Sequence, residues 1–136
     1  MIAGTTDLFL SGEQRGDFWL IKTDSRGEKE WDRIFNGGHL DWLSSAQQTK
    51  EGGFILAGRI DSLGTGDSDF WLVKTDESGN KEWSKILGGP GGGDRVYSVQ
   101  QTQDGGFILA GQTNSFGQIF GPGLNNYNLW LVKIKK

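Results

Sequence analysis

The chain has 136 residues, a net charge of −3, 23 glycines, six tryptophans and no cysteine, which suits one domain with a modest core. The acidic balance argues against a nucleic-acid partner, which needs a basic face. With no cysteine there is no disulfide framework, thiolate metal site or Cys nucleophile, and no apolar run approaches the roughly 20 residues that span a bilayer.

In chain order, Met1–Thr6 lacks the basic head and apolar stretch of a signal peptide and reads instead as a strand, its Met1-Ile2-Ala3-Gly4 echoing a later motif. Phe18–Thr23 is the next strand, nearly all apolar. Asp24-Ser25-Arg26-Gly27 then forms a tight turn closing on glycine, where a positive φ costs little. Glu30–Phe35 alternates, as an outer strand wetted on one side does. After the His39 loop come Trp42–Thr49, the turn Glu51-Gly52-Gly53 and the apolar run Phe54–Ile60. Phe70–Thr75, the turn Asp76-Glu77-Ser78-Gly79 and Glu82–Leu87 repeat the earlier strand–turn–strand. A glycine-rich loop, Gly88–Gly93, leads to Arg95–Thr102, the turn Asp104-Gly105-Gly106, Phe107–Thr113, a longer loop and finally Leu129–Ile134. No segment carries a 3.6-residue period, so no helix is expected.

These elements are one unit repeated about every 52 residues. Asp17-Phe18-Trp19-Leu20-Ile21-Lys22-Thr23-Asp24 recurs from Asp69 to Asp76, and more weakly from Asn128 to Ile134. Gly52 to Gly58 recurs as Gly105 to Gly111, and Lys29-Glu30-Trp31 as Lys81-Glu82-Trp83. With the strands of a unit labelled A to D, the chain runs B-C-D over 1–35, A-B-C-D over 36–87 and A-B-C over 88–136. The expected fold is an all-β β-propeller of four-stranded antiparallel blades, about two and a half blades in a single partial domain over 1–136. The competing architecture is a β-solenoid, whose coils are usually shorter than this period.

The pattern Gly-Gly-Phe-Ile-Leu-Ala-Gly, followed by Asp-Phe-Trp-Leu-Val-Lys-Thr-Asp-x-x-Gly-Asn-x-x-Trp, resembles the β-propeller repeats of bacterial and archaeal cell-surface proteins over essentially the whole chain. That resemblance implies an extracellular or cell-surface location and a scaffold or adhesive role. The strand phase is similar to that of NHL-type propellers, in which strand A lines the central channel. The Gly79-to-Trp83 spacing, repeated from Gly27 to Trp31, is similar to the blade motif of quinoprotein dehydrogenases, where the tryptophan docks one blade on the next; it carries no cofactor residues here. The Trp-Asp ending of a WD40 strand does not occur at this position.

A repeated aromatic at one blade position points to packing between blades, the role expected of Trp19, Trp31, Trp71, Trp83 and Trp130. Trp42 differs, since its counterpart is Arg95, and unrepeated residues at blade ends are where functions diverge. With Phe116, Phe120 and Tyr127 of the lengthened third B–C loop, they are the candidates for contact with a ligand or partner. Aromatics beside Asn and Gln suit a sugar. Asp41 and Asp94 precede strand A and read as turn-capping carboxylates. Asp61, Asp67 and Asp69 have the oxygens for calcium, but the other copies do not keep them all, so no metal is expected. His39, the only histidine, gives no multi-histidine site and no convergent acid–base set.

The expected function is therefore non-enzymatic, with no catalytic residues and no cofactor: a structural or protein-interaction module. A carbohydrate-binding propeller is the alternative, and a propeller lyase or hydrolase is disfavoured. An arc of about three blades leaves faces and edges exposed, so a homodimer closing a ring of about six blades is expected. A trimer, or a longer propeller of which this is a piece, competes with it. Neither nucleic-acid binding nor membrane insertion is expected.

Overall fold

A computed structural model describes residues 1–10, 13–38, 40–61, 68–89, 92–115 and 127–135. Among them the regular structure is ten strands and no helix: β1 (Ile2–Leu10), β2 (Glu13–Thr23), β3 (Lys29–Phe35), β4 (Asp41–Gln48), β5 (Phe54–Asp61), β6 (Ser68–Thr75), β7 (Lys81–Leu87), β8 (Arg95–Gln101), β9 (Phe107–Thr113) and β10 (Asn128–Ile134). They form three sheets in the orders β1-β2-β3, β4-β5-β6-β7 and β8-β9-β10, and every pairing of neighbouring strands is antiparallel.

Local chemistry sets the hairpins. Asp24 and Asp76 each start a turn in which one carboxylate oxygen accepts the backbone N–H groups two and four residues on, at 2.8–2.9 Å. Gly27 and Gly79 close these turns at φ of 85° and 80°, a conformation a Cβ would strain. The first hairpin is longer than the repeat alone indicates. β1 continues past Thr6 to Leu10 and pairs with β2 from Glu13.

The sheets pack face to face, and each junction has its own core. Phe18, Leu20 and Phe35 of the first sheet meet Phe54, Leu56, Ile60, Trp71 and Val73 of the second. On its other face the second sheet offers Ile55, Ala57, Phe70 and Leu72 to Val96, Val99, Phe107, Leu109 and Ile134 of the third. Both faces of β5 and β6 are thus buried, which explains their unbroken apolar runs. The outer strand β7 is mostly exposed, as its alternation requires.

The same aromatic arrangement appears at both junctions. The Phe18 ring lies 4.4 Å from that of Trp71, and Phe70 lies 4.6 Å from Trp130. Further out, Trp31 meets Phe54 edge-on at 5.7 Å and Trp83 meets Phe107 at 6.0 Å. Each tilted pair sits over a cross-strand glycine, Gly58 opposite Trp71 and Gly111 opposite Trp130. A Cβ on Gly58 would come within 2.6 Å of Phe18 Cζ, and one on Gly111 within 2.5 Å of Phe70 Cζ. The glycine is therefore the flat floor of a seat and the tryptophan its wall. Burying one such phenylalanine contributes about 1.5–3 kcal/mol.

Polar contacts fix the inner strands. Ser45 Oγ of β4 accepts the Val99 N–H of β8 at 3.3 Å, and Gln47 Oε1 accepts the Gln101 N–H at 2.9 Å. At the other junction Thr5 Oγ1 accepts the Leu43 N–H at 3.0 Å.

Candidate functional site

The β3–β4 and β7–β8 connections lie where one sheet crosses to the next, and each crossing is held by buried aspartates. Leu40 bridges to Gly16 and Gly93 to Ser68, both in parallel register. The following residue in each case, Asp41 or Asp94, has no exposed surface. Asp41 caps its turn, accepting the Gly37 N–H on Oδ2 at 2.6 Å. Its Oδ1 has no hydrogen-bond partner. Burial pushes the Asp41 carboxyl up to about 6 against the pull of the Gly37 N–H, and the charges of Asp17 and Asp61 add to the rise. Asp94 is held differently, by Ser115 Oγ, which lies 3.0 Å from both its carboxylate oxygens. That bond ties the crossing to the start of the long β9–β10 connection.

Trp42, the second residue of β4, stands beside this crossing and is 37 % exposed. It pairs across the sheet with Arg59, whose guanidinium carbon lies 4.5 Å from the ring centroid. Arg59 Nε is in turn 3.5 Å from Asp61 Oδ1. One face of the Trp42 ring is thus occupied by a cation. Arg59 was not singled out from the sequence; its place opposite Trp42 in an A–B hairpin is the signal that finds it.

Trp42 and Arg95 are repeat counterparts, yet they lie on faces of different sheets. Trp42 opposes Arg59 on the face of the second sheet that meets the third, whereas Arg95 opposes Gln112, which opposes Leu129 on the outward face of the third. Tyr127 is half-exposed, and its hydroxyl lies 3.7 Å from where a Cβ on Gly93 would be. Phe116, Phe120, His39 and Asp67 fall outside the described residues. Of the five sequence candidates only Trp42, Arg95 and Tyr127 are among the described residues. No three His, Cys, Asp or Glu side chains among the described residues group in a way that holds a metal ion.

Of the repeated tryptophans, Trp31, Trp71, Trp83 and Trp130 contact a phenylalanine of a neighbouring sheet. Trp19 lies on the open face of the first sheet, where its indole N–H donates to Asp32 Oδ2 at 3.0 Å. Among the described residues, fold and contacts together define an all-β chain of three packed antiparallel sheets, with no further sheet on the outward faces of the first and third. No protein-family model matches the chain, and no curated protein matches it.

Proposed function

We propose that this chain is a non-enzymatic β-propeller module that packs head to tail on a second copy of itself and closes a ring of about six blades. One observation carries this reading. The first sheet has the same glycine–tryptophan seat as the other two, Gly4 opposite Trp19, but nothing lies within 4 Å of where a Cβ on Gly4 would be. The third sheet has the matching knob. Leu129 is the counterpart of Phe18 and Phe70, which are fully buried, and is itself 78 % exposed. Leu131 and Ile108 beside it match the buried Leu72 and Ile55, and are also exposed. One end of the stack thus repeats a face that is covered inside it, and the other end repeats the face that does the covering. Apolar side chains left in water over such an area mark an interaction surface.

Light scattering after size exclusion tests the proposal. The expected mass is about twice the 14.9 kDa of one chain. Leu129→Asp, which removes only an exposed contact, is expected to give a folded monomer with an unchanged far-ultraviolet circular dichroism spectrum. A wild-type protein that stays monomeric at high micromolar concentration overturns the reading.

A further inference from the structure

The connection from β3 to β4 opens with Asn36-Gly37, the one place in the chain where asparagine precedes glycine. The backbone nitrogen that follows an asparagine can attack the side-chain amide, and glycine favours this because no Cβ stands in the way. An amide nitrogen is a poor nucleophile until its proton leaves, so the attack needs a base.

The fold places one. The Gly37 N–H donates to Asp41 Oδ2 at 2.6 Å, the distance at which a general base works. Asp41 has no exposed surface, and its Oδ1 has no hydrogen-bond partner. Its charge is therefore poorly solvated, and burial holds its carboxyl up at about 6, so the carboxylate is more basic than an ordinary one. The charges facing it, Asp17 of β2 and Asp61 of β5, act in the same sense. The Arg59 guanidinium is engaged with Asp61 at 3.5 Å and with the Trp42 ring. Asn36 itself is exposed, so its amide is open to water. The arrangement is not a feature of the repeat. At the other crossing Gly88 stands where Asn36 would be, and Asp94 is held by Ser115 Oγ.

We propose that Asn36-Gly37 is a self-modification site at which Asp41 is the base. As Asp41 Oδ2 takes the Gly37 proton, the Gly37 nitrogen forms a bond to Asn36 Cγ. The adduct then breaks its bond to the side-chain nitrogen, which leaves as ammonia with the proton that Asp41 returns. A cyclic imide remains, and water opens it at either carbonyl to leave aspartate or isoaspartate at position 36. The net change is amide plus water to carboxylic acid plus ammonia, with nothing oxidised or reduced. Either product adds a carboxylate near Asp41, and isoaspartate also lengthens the backbone by a methylene before Gly37. There is little room for it, since a Cβ on Gly37 would meet Ile60 Cδ1 at 2.7 Å and Asp41 Oδ2 at 2.9 Å. Conversion thus loosens the crossing between the first and second sheets as the protein ages. The chemistry lies within one chain and does not depend on whether two copies meet.

The test incubates the whole protein at 37 °C between pH 5 and 8.5 and follows conversion at position 36 by mass spectrometry of digests, with isoaspartyl methylation as a second readout. The reference is a synthetic peptide of residues 33–40, in which no carboxylate of Asp41 reaches Gly37. At pH 7 the folded protein is expected to convert faster than the peptide by about tenfold or more. Its rate is expected to follow the ionised fraction of Asp41 and to level off above pH 7, where the peptide still accelerates with hydroxide. Asp41→Asn keeps an oxygen for the Gly37 N–H but is no base; this variant is expected to convert no faster than the peptide and to regain the hydroxide dependence. Slower conversion in folded wild type than in the peptide, a wild-type rate that keeps rising with hydroxide, or a rate that Asp41→Asn leaves unchanged overturns the inference. The hydrogen bond would then only hold Gly37 in place. The first two outcomes need no variant, so they decide the matter even if Asp41→Asn fails to fold.

Discussion

Gly58→Ala is expected to lower the unfolding free energy by about 3 kcal/mol or more, at the upper end of what overpacking a core costs. Gly4→Ala, the same substitution at the same place in the repeat, is expected to cost nothing and to stabilise slightly, by about 0.5 kcal/mol, because alanine narrows the unfolded ensemble. The new methyl at Gly58 would collide with the Trp42 carbonyl oxygen of the adjacent strand and with Phe18 Cζ across the junction. The carbonyl cannot give way without breaking the β4–β5 ladder, and the phenylalanine cannot give way without leaving Trp71. At Gly4 the methyl meets open space. Both substitutions belong in the monomeric Leu129→Asp background, so that association does not contribute, with urea unfolding as the measurement. Equal midpoints for the two would mean that the glycine seat does not join the sheets. In the wild-type background Gly4→Ala is expected to weaken association, since its methyl enters the seat that the proposed ring fills with Leu129.

The second large effect is on the dependence of stability on pH. Asp41 titrates at about 6 in the folded protein, against an ordinary value of 3.8. Between these values the folded state holds a proton that the unfolded chain has released. The resulting stability is fully present below about pH 4 and is lost as pH rises through 6. The difference amounts to about 3 kcal/mol. Asp24, Asp32 and Asp76 act in the opposite sense: their hydrogen bonds lower their carboxyls. Their contribution is present above the ordinary carboxylate value and is lost as pH falls below it. The interval from pH 4 to 6.5 therefore belongs to Asp41. Asp41→Asn keeps an oxygen for the Gly37 N–H and removes the charge facing Asp17 and Asp61. This variant is expected to be flat across that interval and about 2 kcal/mol more stable than wild type at pH 7.5. Thermal melts at pH 4, 5, 6 and 7.5 check this; parallel curves for the two proteins would remove Asp41 as the cause.

Asp41 illustrates what a repeat conveys and what it leaves out. That Asp41 and Asp94 precede equivalent strands is plain in the sequence, and a capping role follows from the chemistry of aspartate before a strand. The neighbours of each are not plain. Asp41 caps Gly37 and faces Asp17 and Asp61, whereas Asp94 is held by Ser115. Gly37 is local, but Asp17, Asp61 and Ser115 come from segments distant along the chain. Trp42 makes the same point. Its departure from the repeat is plain in the sequence, but the guanidinium of Arg59 over its ring is a contact set by strand register.

By itself the sequence determined the number, order and grouping of the strands, the glycine turns and the identity of the outer strands. All of these follow from local periodicity and from residues whose backbone preferences act within a few positions. Tertiary structure alone decided which faces are covered. It put Phe18 on Gly58 and Trp71 and left Gly4, Trp19 and Leu129 open. The physical reason is that a strand's residues fix which side chains share a face, but a face is dry only when another sheet lies on it. The first and third sheets each have a neighbour on one side within the chain.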